Sequence, residues 1–314
     1  MSDIVVFGGT GFIGSKLVAR LSARGHRVRV PTRHRERARH LLPLPTVEVV
    51  EVDTFDAATL DRLLRDQHAV GNLVGVLQGR RGVPYGPEFA RAHQRLPANL
   101  AQACITAGVP RLVHVSALGA DSAGASMYLR SKGDGEAALR AQAGLRWTIL
   151  RPSVVFGDGD RFLNTFAALQ RRLPLMLLGG AHQRFAPVWV GDVAAALCAA
   201  LVGVEAGHTV GRIYELGGPR EYTLAELVRL AGAWAGVAQG RGRPLLALPD
   251  GAARVLAALL EHLPGDPLMS RDNLDSMREP NVPGGVLPGL GAPELGVPQP
   301  RSVEAVAPDY LGAR

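Results

Sequence analysis

The sequence predicts an α/β protein, with a doubly wound parallel sheet followed by a smaller C-terminal lobe, and three observations carry this prediction. Short strand patterns alternate with helical patterns through the first half of the chain. The runs Ile4–Phe7 and Val70–Leu77 are almost continuously apolar, which is typical of strands covered on both faces. After Arg151 and Pro152 the alternation stops, which indicates that a second lobe begins there.

Each predicted element follows from a local pattern. In the first helix, for example, Ile13, Leu17, Val18 and Leu21 share one face. The predicted strands are Ile4–Phe7, Arg27–Val30, Val47–Val52, Ala69–Leu77, Arg111–Ser116, Trp147–Leu150 and Ile213–Leu216. The predicted helices are Phe12–Arg24, Ala57–Arg65, Phe89–Ala107, Tyr128–Ala141, Phe162–Arg171, Leu224–Ala235 and Ala252–His262. Strands separated by helices imply βαβ units and hence a parallel sheet.

The domain boundary is predicted near residue 155. Residues 1–155 form the first domain, and residues 186–205 are expected to return to it. Residues 156–314 form the smaller lobe, with an extended tail from Pro280 onward because Gly and Pro are dense there. The apolar segment from Leu245 to Leu263 is interpreted as a core helix, and a face that rests on a membrane or a partner is the alternative.

Composition limits the class of protein. With 314 residues, 47% hydrophobic and 20% charged, the chain is able to form a substantial core, which excludes wholesale disorder. Its two cysteines, Cys104 and Cys198, exclude a disulfide framework. Asp158 and Asp160 lack further ligands nearby, so no metal site is expected and Asp160 is assigned to a helix start. Without a signal pattern or a spanning segment, we expect a cytoplasmic protein, with a peripheral position on the inner face of a membrane as the alternative.

The net charge of +7 comes almost entirely from arginine, because Lys16 and Lys132 are the only lysines. Arginines are spread among acids, which argues against a nucleic-acid partner, except in one window. That window contains Arg27, Arg29, Arg33, Arg35, Arg37 and Arg39 against the single acid Glu36. It is either a solvated surface or a phosphate pocket.

The strongest local motif is the glycine-rich segment between the first strand and the first helix. It satisfies the pattern GxGxxG at Gly9, Gly11 and Gly14, and Gly8 precedes it. Glycines allow backbone N–H groups to approach a pyrophosphate, and the helix N-terminus adds a favourable dipole. The motif therefore predicts a dinucleotide site in a Rossmann fold, against the alternative of a glycine-rich turn without a ligand.

The second predicted strand is followed by a basic residue at the position where NAD-binding folds often have an acidic residue. Nineteen residues after Gly14 stands Arg33, whose guanidinium suits a 2′-phosphate, so NADP(H) is predicted over NAD(H). Asp53, after the third strand, is a candidate to contact adenine; alternatively it caps a helix together with Thr54.

A tyrosine and a lysine stand four residues apart on one predicted helix. Tyr128 and Lys132 therefore share a face, and an ammonium beside a phenol lowers the pKa of the phenol. Such a tyrosine is able to donate a proton to a carbonyl oxygen while hydride arrives from a nicotinamide. Ser116, at a strand end, is predicted to orient that carbonyl. A surface pair and a strand-end hydroxyl are the alternatives.

The segments GGTGFIG, VHVS, YLRSK and RPSVVFG, in this order, resemble the short-chain dehydrogenase/reductase superfamily, in particular its extended and atypical branches. The extended branch usually has a second hydroxyl residue where this chain has Ala117. Further segments, HVSALGADSAGASMYLRSKGDGE, RPSVVFGDGDRFLNTFAAL and PLMSRDNLDSM, are similar to the nucleotide-binding accessory subunit of respiratory complex I and its bacterial relatives.

The resemblance implies a tightly held NADPH and leaves two functions open. The implied cofactor contacts are Gly8, Thr10, Gly11, Phe12, Ile13 and Arg33, to which we add Gly14 of the glycine motif, Gly75 and Pro152. Tyr128 and Lys132 either serve an NADPH-dependent reductase or epimerase-like enzyme with a small-molecule carbonyl substrate, or hold the cofactor without turnover. In the second case the partners are subunits of a respiratory complex.

Overall fold

The computed structural model describes residues 1–53, 55–203, 206–262, 265 and 267–312. The chain divides into two compact units. Unit 1 comprises Met1–Pro152, Val190–Leu216 and Gly285–Gln299, and unit 2 comprises Ser153–Trp189, Gly217–Gly284 and Pro300–Arg314.

The strands and helices are numbered along the chain. The strands are β1 (Asp3–Phe7), β2 (Arg27–Thr32), β3 (Val47–Glu51), β4 (Ala69–Asn72), β5 (Arg111–Val115), β6 (Arg146–Pro152), β7 (Val155–Phe156), β8 (Met176–Gly179), β9 (Arg184–Phe185), β10 (Val188–Trp189), β11 (Arg212–Leu216), β12 (Tyr222–Thr223) and β13 (Leu245–Leu248). The α-helices are α1 (Phe12–Ala23), α2 (Ala57–Leu64), α3 (Pro87–Phe89), α4 (Leu96–Thr106), α5 (Met127–Arg140), α6 (Leu163–Arg172), α7 (Val190–Val202), α8 (Leu224–Trp234), α9 (Asp250–Leu260), α10 (Arg271–Ser276) and α11 (Val303–Leu311). Short 3-10 helices occupy Arg35–Leu41, Ala206–Thr209 and Pro293–Leu295.

A seven-stranded sheet with the order β3-β2-β1-β4-β5-β6-β11 forms the centre of unit 1. Every neighbouring pair in it is parallel. The chain order reverses between β1 and β4, where Val5 lies opposite Val70. Ligands of such folds bind outside the carboxyl ends of the strands at this reversal. The predicted doubly wound α/β fold is confirmed.

The sheet strands are apolar because both of their faces are covered. Val5, Phe7, Val70 and Ile149 are fully buried in one cluster with the α4 residue Leu100 and others. On the other face α1 packs against α7, which returns to unit 1 after an excursion of the chain into unit 2. Buried aliphatic area on both faces is the main favourable term in the stability of this layer.

Strand β4 is shorter than the sequence predicts. The expected strand Ala69–Leu77 ends at Asn72, so its second half is a correction. The neighbouring strand β1 ends at Phe7, opposite Asn72, so the following residues have no ladder partner there. They leave the sheet and run over its carboxyl edge, where the Val76 N–H donates to the Nε2 atom of His93 (3.0 Å).

The predicted helix Phe89–Ala107 is observed from Pro87 to Thr106, but it is not a regular α-helix. Residues Ala90–Arg95, between α3 and α4, form a π-helical segment. Pro97 lacks an N–H group, so it cannot donate to the carbonyl of His93. That carbonyl instead lies against Gly135 of α5, so close that a Cβ at Gly135 would overlap it. The wider turn fixes the position of His93 on the inner side of the helix.

Unit 2 has its own core and three two-stranded ladders. The ladders pair β7 with β10, β8 with β13, and β9 with β12. The core packs α6, α8 and α11 together through residues such as Leu163, Leu227 and Ala307. A capping box starts α8, in which Thr223 accepts from the Glu226 N–H and the Glu226 carboxylate accepts from the Thr223 N–H.

The tail is more structured than its Gly and Pro content predicts. The expectation of an extended tail from Pro280 is wrong for Val303–Leu311, which form α11. Val303, Ala307 and Leu311 are buried four residues apart, and the Ser302 hydroxyl accepts from the Ala305 N–H to cap the helix. This helical spacing was readable in the sequence.

The apolar segment Leu245–Leu263 is not a core helix. It forms the strand β13 and the helix α9, and its last residue, Leu263, lies outside the described residues. Only Ala253 and Ala257 of α9 are buried, while Val255 and Leu259 face solvent. Among the described residues, no helix has the length and apolarity required to cross a bilayer.

Candidate functional site

The predicted site residues of unit 1 converge at one edge of its sheet. Because all seven strands are parallel, the segments that follow their carboxyl ends share that edge. These segments contain the glycine loop after β1, Arg33 after β2, Asp53 after β3, Gly75 after β4, Ser116 after β5 and Pro152 at the end of β6. Thr54, the other predicted contact, lies outside the described residues.

The glycine loop requires its glycines for steric reasons. Gly8 has a φ of +78°, and a Cβ there would lie 2.8 Å from the backbone of Leu73. A Cβ at Gly14 would overlap the carbonyl oxygen of Gly8. The loop is therefore folded tightly onto the start of α1, and its backbone is open to a close approach at Gly11, which is exposed.

Helix α1 begins without a side chain that satisfies its first N–H groups. Gly11 is the N-cap residue and provides no side-chain hydrogen bond, and the first turn contains no acid. Thr10, Phe12 and Ile13, the other predicted contacts of this turn, are half-buried. Unsatisfied N–H groups at the positive end of a helix dipole suit a phosphate anion. The chain at this position fits the pyrophosphate of a dinucleotide.

An exposed arginine cluster follows β2. Arg33 directly follows Thr32, the last residue of the strand, and Arg35 and Arg37 are exposed in the next turn. In the described part of the chain Glu36 is paired with Arg39, and Arg33 has no carboxylate partner. Arg33 therefore remains available to an anionic ligand at the carboxyl edge.

The start of α2 distinguishes between the two predicted roles of Asp53, contact with adenine and capping of a helix. The N-cap residue of α2 is Asp56, whose Oδ1 atom accepts from the Thr59 N–H at 2.8 Å. The reading of Asp53 as a helix cap is therefore wrong. Asp53 is exposed beyond the end of β3, where contact with adenine stays a prediction.

Tyr128 and Lys132 lie one turn apart on α5. The helix starts at Ser126, whose hydroxyl accepts from the Leu129 N–H (3.1 Å). The Nζ atom of Lys132 is buried, donates to the carbonyl of Val115 at 3.0 Å and lies 6.0 Å from the centroid of the Tyr128 ring. A Cβ at Gly75 would be 3.4 Å from that Nζ atom, so Gly75 is brought beside the pair as well.

Burial controls the titration of this pair. It raises the pKa of Tyr128 to about 12, which corrects the expectation that Lys132 lowers it. The same effect lowers the pKa of Lys132 to about 8, partly offset by the negative charge of Glu136. Near neutral pH the phenol therefore keeps its proton, and most of the ammonium groups keep theirs.

Ser116 is buried directly after β5. Its N–H donates to the carbonyl of Leu150, but its Oγ atom has no hydrogen-bond partner among the described residues. On the neighbouring strand β6, the carbonyl of the terminal residue Pro152 accepts from the Leu118 N–H (3.2 Å). A buried hydroxyl without a partner costs free energy, which a ligand oxygen would recover.

His93 links the π-helical segment to the tyrosine. Its Nε2 atom accepts from the Val76 N–H, so the proton resides on Nδ1 and is donated to Ser131 (2.9 Å). The Ser131 hydroxyl in turn donates to the carbonyl of Tyr128 at 2.8 Å. The ring of His93 also meets the Tyr128 ring edge to face, with centroids 5.5 Å apart. Burial and the charge of Lys132 lower the pKa of His93 to about 2, so it stays neutral.

His114 lies on β5, two residues before Ser116 and on the same face of the strand. Asn72 accepts from the Val74 N–H through its Oδ1 atom, so its amide nitrogen donates to the Nδ1 atom of His114 (3.1 Å). The Nε2 atom of His114 therefore carries the proton, and it has no partner among the described residues. Burial and Lys132 lower the pKa of this histidine to about 3.

A buried ion pair continues the α5 face beyond Lys132. Glu136, one turn further, accepts two hydrogen bonds from the guanidinium of Arg151 at 2.8 and 2.6 Å. The Arg151 guanidinium also donates to the carbonyl of Ala120 (3.1 Å). This pair anchors α5 to β6 and places a negative charge beside the lysine.

The sequence interpretation left these neighbours of Lys132 out of the site. His93 and His114 are far apart in the chain, and neither they nor Glu136 are among the residues predicted for the site. Two signals were available: His114 is in the strand that ends at Ser116, and Glu136 follows Lys132 by one helical turn. No signal could have placed His93, because its position depends on the π-helical segment.

The fold and its glycine loop place the chain in the class of Rossmann-fold, dinucleotide-binding proteins, and comparison with known proteins agrees. Residues 4–217 match the NAD dependent epimerase/dehydratase family, and the chain belongs to this family. Its resemblance to the extended short-chain dehydrogenase/reductases is thereby confirmed.

Two proteins of similar sequence and one solved structure of similar fold illustrate this relationship. The chain is 35% identical over 231 residues to subunit 9 of the NADH dehydrogenase [ubiquinone] 1 alpha subcomplex of Arabidopsis thaliana, covering 72% of this chain and 56% of that protein. It is 31% identical over 260 residues to the ceramide reductase of Caulobacter vibrioides, covering 82% of this chain and 77% of that one. The dTDP-glucose 4,6-dehydratase DesIV of Streptomyces venezuelae, solved with NAD and TYD bound, has the same fold, with a TM-score of 0.73 and 22% identity over 98% of this chain and 95% of that one.

The chain thus spans little more than half the length of the plant relative.

Proposed function

We propose that the protein is an NADP(H)-dependent reductase or epimerase-like oxidoreductase that acts on a carbonyl substrate. The buried Lys132 ammonium carries this proposal, since it lies one turn from Tyr128 at the carboxyl edge of the sheet and is held by the Val115 carbonyl. A buried ammonium is costly to maintain, and functional sites are where such costs are found.

Tyr128 is proposed as the proton donor to the carbonyl oxygen. Its raised pKa keeps the phenol protonated at neutral pH, which is the form that a reduction requires. As the proton leaves, the Lys132 ammonium stabilises the phenolate that remains. The bound nicotinamide cofactor would supply the hydride in this reaction.

Ser116 is proposed to orient the substrate carbonyl. Its buried hydroxyl has no partner among the described residues, so a carbonyl oxygen at this position would gain a hydrogen bond without breaking another. Asn72 fixes the ring of His114 on the same face of β5, and the imidazole N–H that remains is a second polar group directed into the protein interior.

The proposed cofactor contacts are those predicted from the sequence, apart from Thr54, which lies outside the described residues. They are Gly8, Thr10, Gly11, Phe12, Ile13, Gly14, Arg33, Asp53, Gly75, Tyr128, Lys132 and Pro152. The glycine loop would hold the pyrophosphate, and Lys132 the nicotinamide ribose. The unpaired guanidinium of Arg33 supports NADP(H) over NAD(H), because a 2′-phosphate is able to pair with it.

The cofactor preference is tested with Arg33→Asp. We expect NADPH affinity, measured by fluorescence titration, to fall by about tenfold or more while NADH affinity is retained, since one charge-assisted contact contributes about 1.5–3 kcal/mol. Arg91→Gln, at an exposed arginine on the π-helical segment, is the matched control. Equal losses for the two cofactors would reject the assignment of the 2′-phosphate to Arg33.

The enzyme proposal is tested by following NADPH absorbance with panels of carbonyl, quinone and nucleotide-sugar substrates. Turnover should fall about 100-fold or more in Tyr128→Phe and in Lys132→Met, which remove the acid and the ammonium respectively. Tyr85→Phe is the matched control, because this tyrosine is also partly buried and donates to Asp134. An enzyme in which Tyr128→Phe retains full turnover contradicts the proposal.

A second function is favoured by two observations. Ala117 follows Ser116 where a second hydroxyl residue is usual, and Lys132 is already bound to the Val115 carbonyl. In this alternative the chain is a non-catalytic, NADPH-loaded accessory or assembly protein that works with respiratory-complex subunits at a membrane surface, as the name of its plant relative suggests. NADPH would then stabilise the fold by mass action. Retained NADPH without turnover on any panel, together with co-purification of membrane subunits, would favour this alternative.

A further inference from the structure

Unit 2 exposes an aliphatic surface that its own core does not use. We call it the apolar face; it consists of Leu173, Leu175, Leu177, Leu246, Val255 and Leu259. The exposed fractions reach 51% for Leu246, 64% for Val255 and 65% for Leu259. Several large aliphatic side chains in one region are unusual, because single exposed residues need no explanation but clusters mark interaction sites.

The ladder of β8 and β13 brings part of this face together. The two strands are parallel, and Leu177 is the register partner of Leu246. Partners in a ladder point to the same face of the sheet, so the two leucines lie side by side. The neighbours Met176 and Leu178 point the other way and are buried in the core of unit 2.

Helix α9 extends the same face. It packs onto the far end of the ladder, where a Cβ at Gly179 would be 2.7 Å from the Cβ of Ala253. Ala253 and Ala257 face inward, whereas Val255 and Leu259, also four residues apart, lie on the opposite side. The outer stripe of α9 is therefore apolar, although solvent-facing stripes of surface helices are normally polar.

Arginines lie beside the apolar face where both strands begin. Arg171 and Arg172 precede β8, and Arg241 and Arg243 precede β13. The strands are parallel and the Met176 N–H donates to the Pro244 carbonyl, so these arginines share one edge of the ladder. Residues 161–191 and 227–249, which supply the two strands, contain no Asp or Glu.

These arginines keep their positive charge available. Arg171 donates to the carbonyl of Leu311, Arg243 to the carbonyl of Gln170, and Arg241 to the side chain of Gln239. These acceptors are neutral. By contrast, the acids of α9 and its C-terminal flank are paired, Asp250 with Arg254 and Glu261 with Arg271.

We propose that the apolar face and its arginine edge dock unit 2 onto an anionic lipid surface. Aliphatic side chains beside arginines are the pattern of interfacial membrane binding, in which the apolar part enters the acyl boundary and the guanidinium groups contact lipid phosphates. A protein partner is less well matched, because binding hot spots are enriched in Trp and Tyr and this face contains neither. The proposal goes beyond the oxidoreductase function and does not depend on it.

The test is vesicle flotation of the full chain, with phosphatidylcholine alone and with about one-third phosphatidylglycerol. We expect binding to the anionic vesicles only, and release near 1 M salt, where the Debye length is about 3 Å. The double variant Arg171→Gln/Arg172→Gln should weaken binding by about 30-fold, since each arginine near an anionic surface contributes about 1 kcal/mol, or roughly fivefold. Val255→Ser/Leu259→Ser should weaken it by about tenfold or more.

Matched controls come from unit 1. Val83→Ser/Val286→Ser removes two almost fully exposed aliphatic side chains, and Arg91→Gln/Arg95→Gln removes two exposed arginines, and neither should change vesicle binding. The circular dichroism spectrum and the midpoint of thermal unfolding report whether each variant remains folded. Absence of binding to anionic vesicles overturns the proposal, and so does equal binding of wild type and both unit 2 variants. A wild-type dimer that dissociates in Val255→Ser/Leu259→Ser, without vesicle binding, would assign the face to a second copy of the chain and overturn it as well.

Discussion

Unit 1 and unit 2 depart from the usual distribution of polar and apolar groups in opposite directions. Unit 1 buries a lysine, two histidines and the Glu136–Arg151 ion pair at the carboxyl edge of its sheet. Unit 2 leaves leucines and a valine in solvent beside arginines without carboxylate partners among the described residues. Polar groups inside and aliphatic clusters outside both raise the free energy of the isolated protein.

The difference matches the two kinds of ligand proposed for the two units. Buried hydrogen-bond donors in unit 1 are held at fixed positions, which suits a small molecule that must be oriented. The apolar face of unit 2 packs against the rest of the unit on its inner side and is exposed on its outer side. Such a surface suits a partner without defined atomic positions, such as a lipid surface. Each variant below perturbs either the buried polar groups of unit 1 or the apolar surface of unit 2, and should leave the other unit unchanged.

The largest effect is expected from breaking the buried ion pair of unit 1. Glu136→Ala leaves the Arg151 guanidinium without its carboxylate and should lower the free energy of unfolding by about 3 kcal/mol or more. Urea denaturation measures this change. Glu36→Ala, which removes an exposed pair with Arg39, is the matched control and should cost no more than about 0.5 kcal/mol. Equal losses in both variants would show that burial of the pair contributes nothing.

The next effect concerns the glycine loop. In Gly14→Ala the new methyl group would overlap the Gly8 carbonyl, so the loop must open and NADPH affinity should fall by about 100-fold. Isothermal titration calorimetry gives the affinity. Gly291→Ala, at a position with open space around its Cβ, should bind as wild type does. Unchanged affinity in Gly14→Ala would remove the loop from the cofactor site.

An intermediate effect should appear in the pH dependence of stability. The pKa values of His93 and His114 fall from 6.5 in the unfolded chain to about 2 and about 3 in the folded one. Below pH 6.5 the unfolded chain therefore binds protons that the folded chain does not, and stability should decrease as the pH falls from 6.5 toward 3. Each histidine contributes at most about 1.4 kcal/mol per pH unit.

Unfolding free energies between pH 6.5 and 5 measure this slope, because most carboxylates remain ionised there. His114→Asn should remove about half of it, and the exposed His40→Asn should leave it unchanged. A slope in His114→Asn as steep as that of wild type would contradict the burial of a neutral His114.

The smallest effect is expected on the stability of unit 2. Leu259→Ser removes a side chain that is mostly in solvent, so the free energy of unfolding should change by no more than about 0.5 kcal/mol. Leu227→Ala, in the core of the same unit, should cost about 2–5 kcal/mol. Differential scanning calorimetry compares the two variants. A large loss in Leu259→Ser would mean that the apolar face stabilises the fold and is not reserved for a partner.

The doubly wound sheet and the main features of its carboxyl edge follow from local patterns in the sequence. Strand and helix periodicity is local, and parallel order follows from the length of the connections. The glycine loop directly follows a predicted strand, Arg33 comes three residues after one and Ser116 ends one, so their shared edge could be inferred from the sequence. Tyr128 and Lys132 share a helical face for the same local reason.

The surroundings of those residues, in contrast, depend on how distant parts of the chain pack together. His93 reaches Tyr128 and Val76 because Pro97 and Gly135 allow a π-helical segment there, and that depends on packing between two helices. The shift in the pKa of Tyr128 depends on burial, which no local pattern reports, and it runs opposite to the shift inferred from a neighbouring lysine. The apolar segment after Leu245 also read as core, because hydropathy records how apolar a residue is and not whether other parts of the chain cover it.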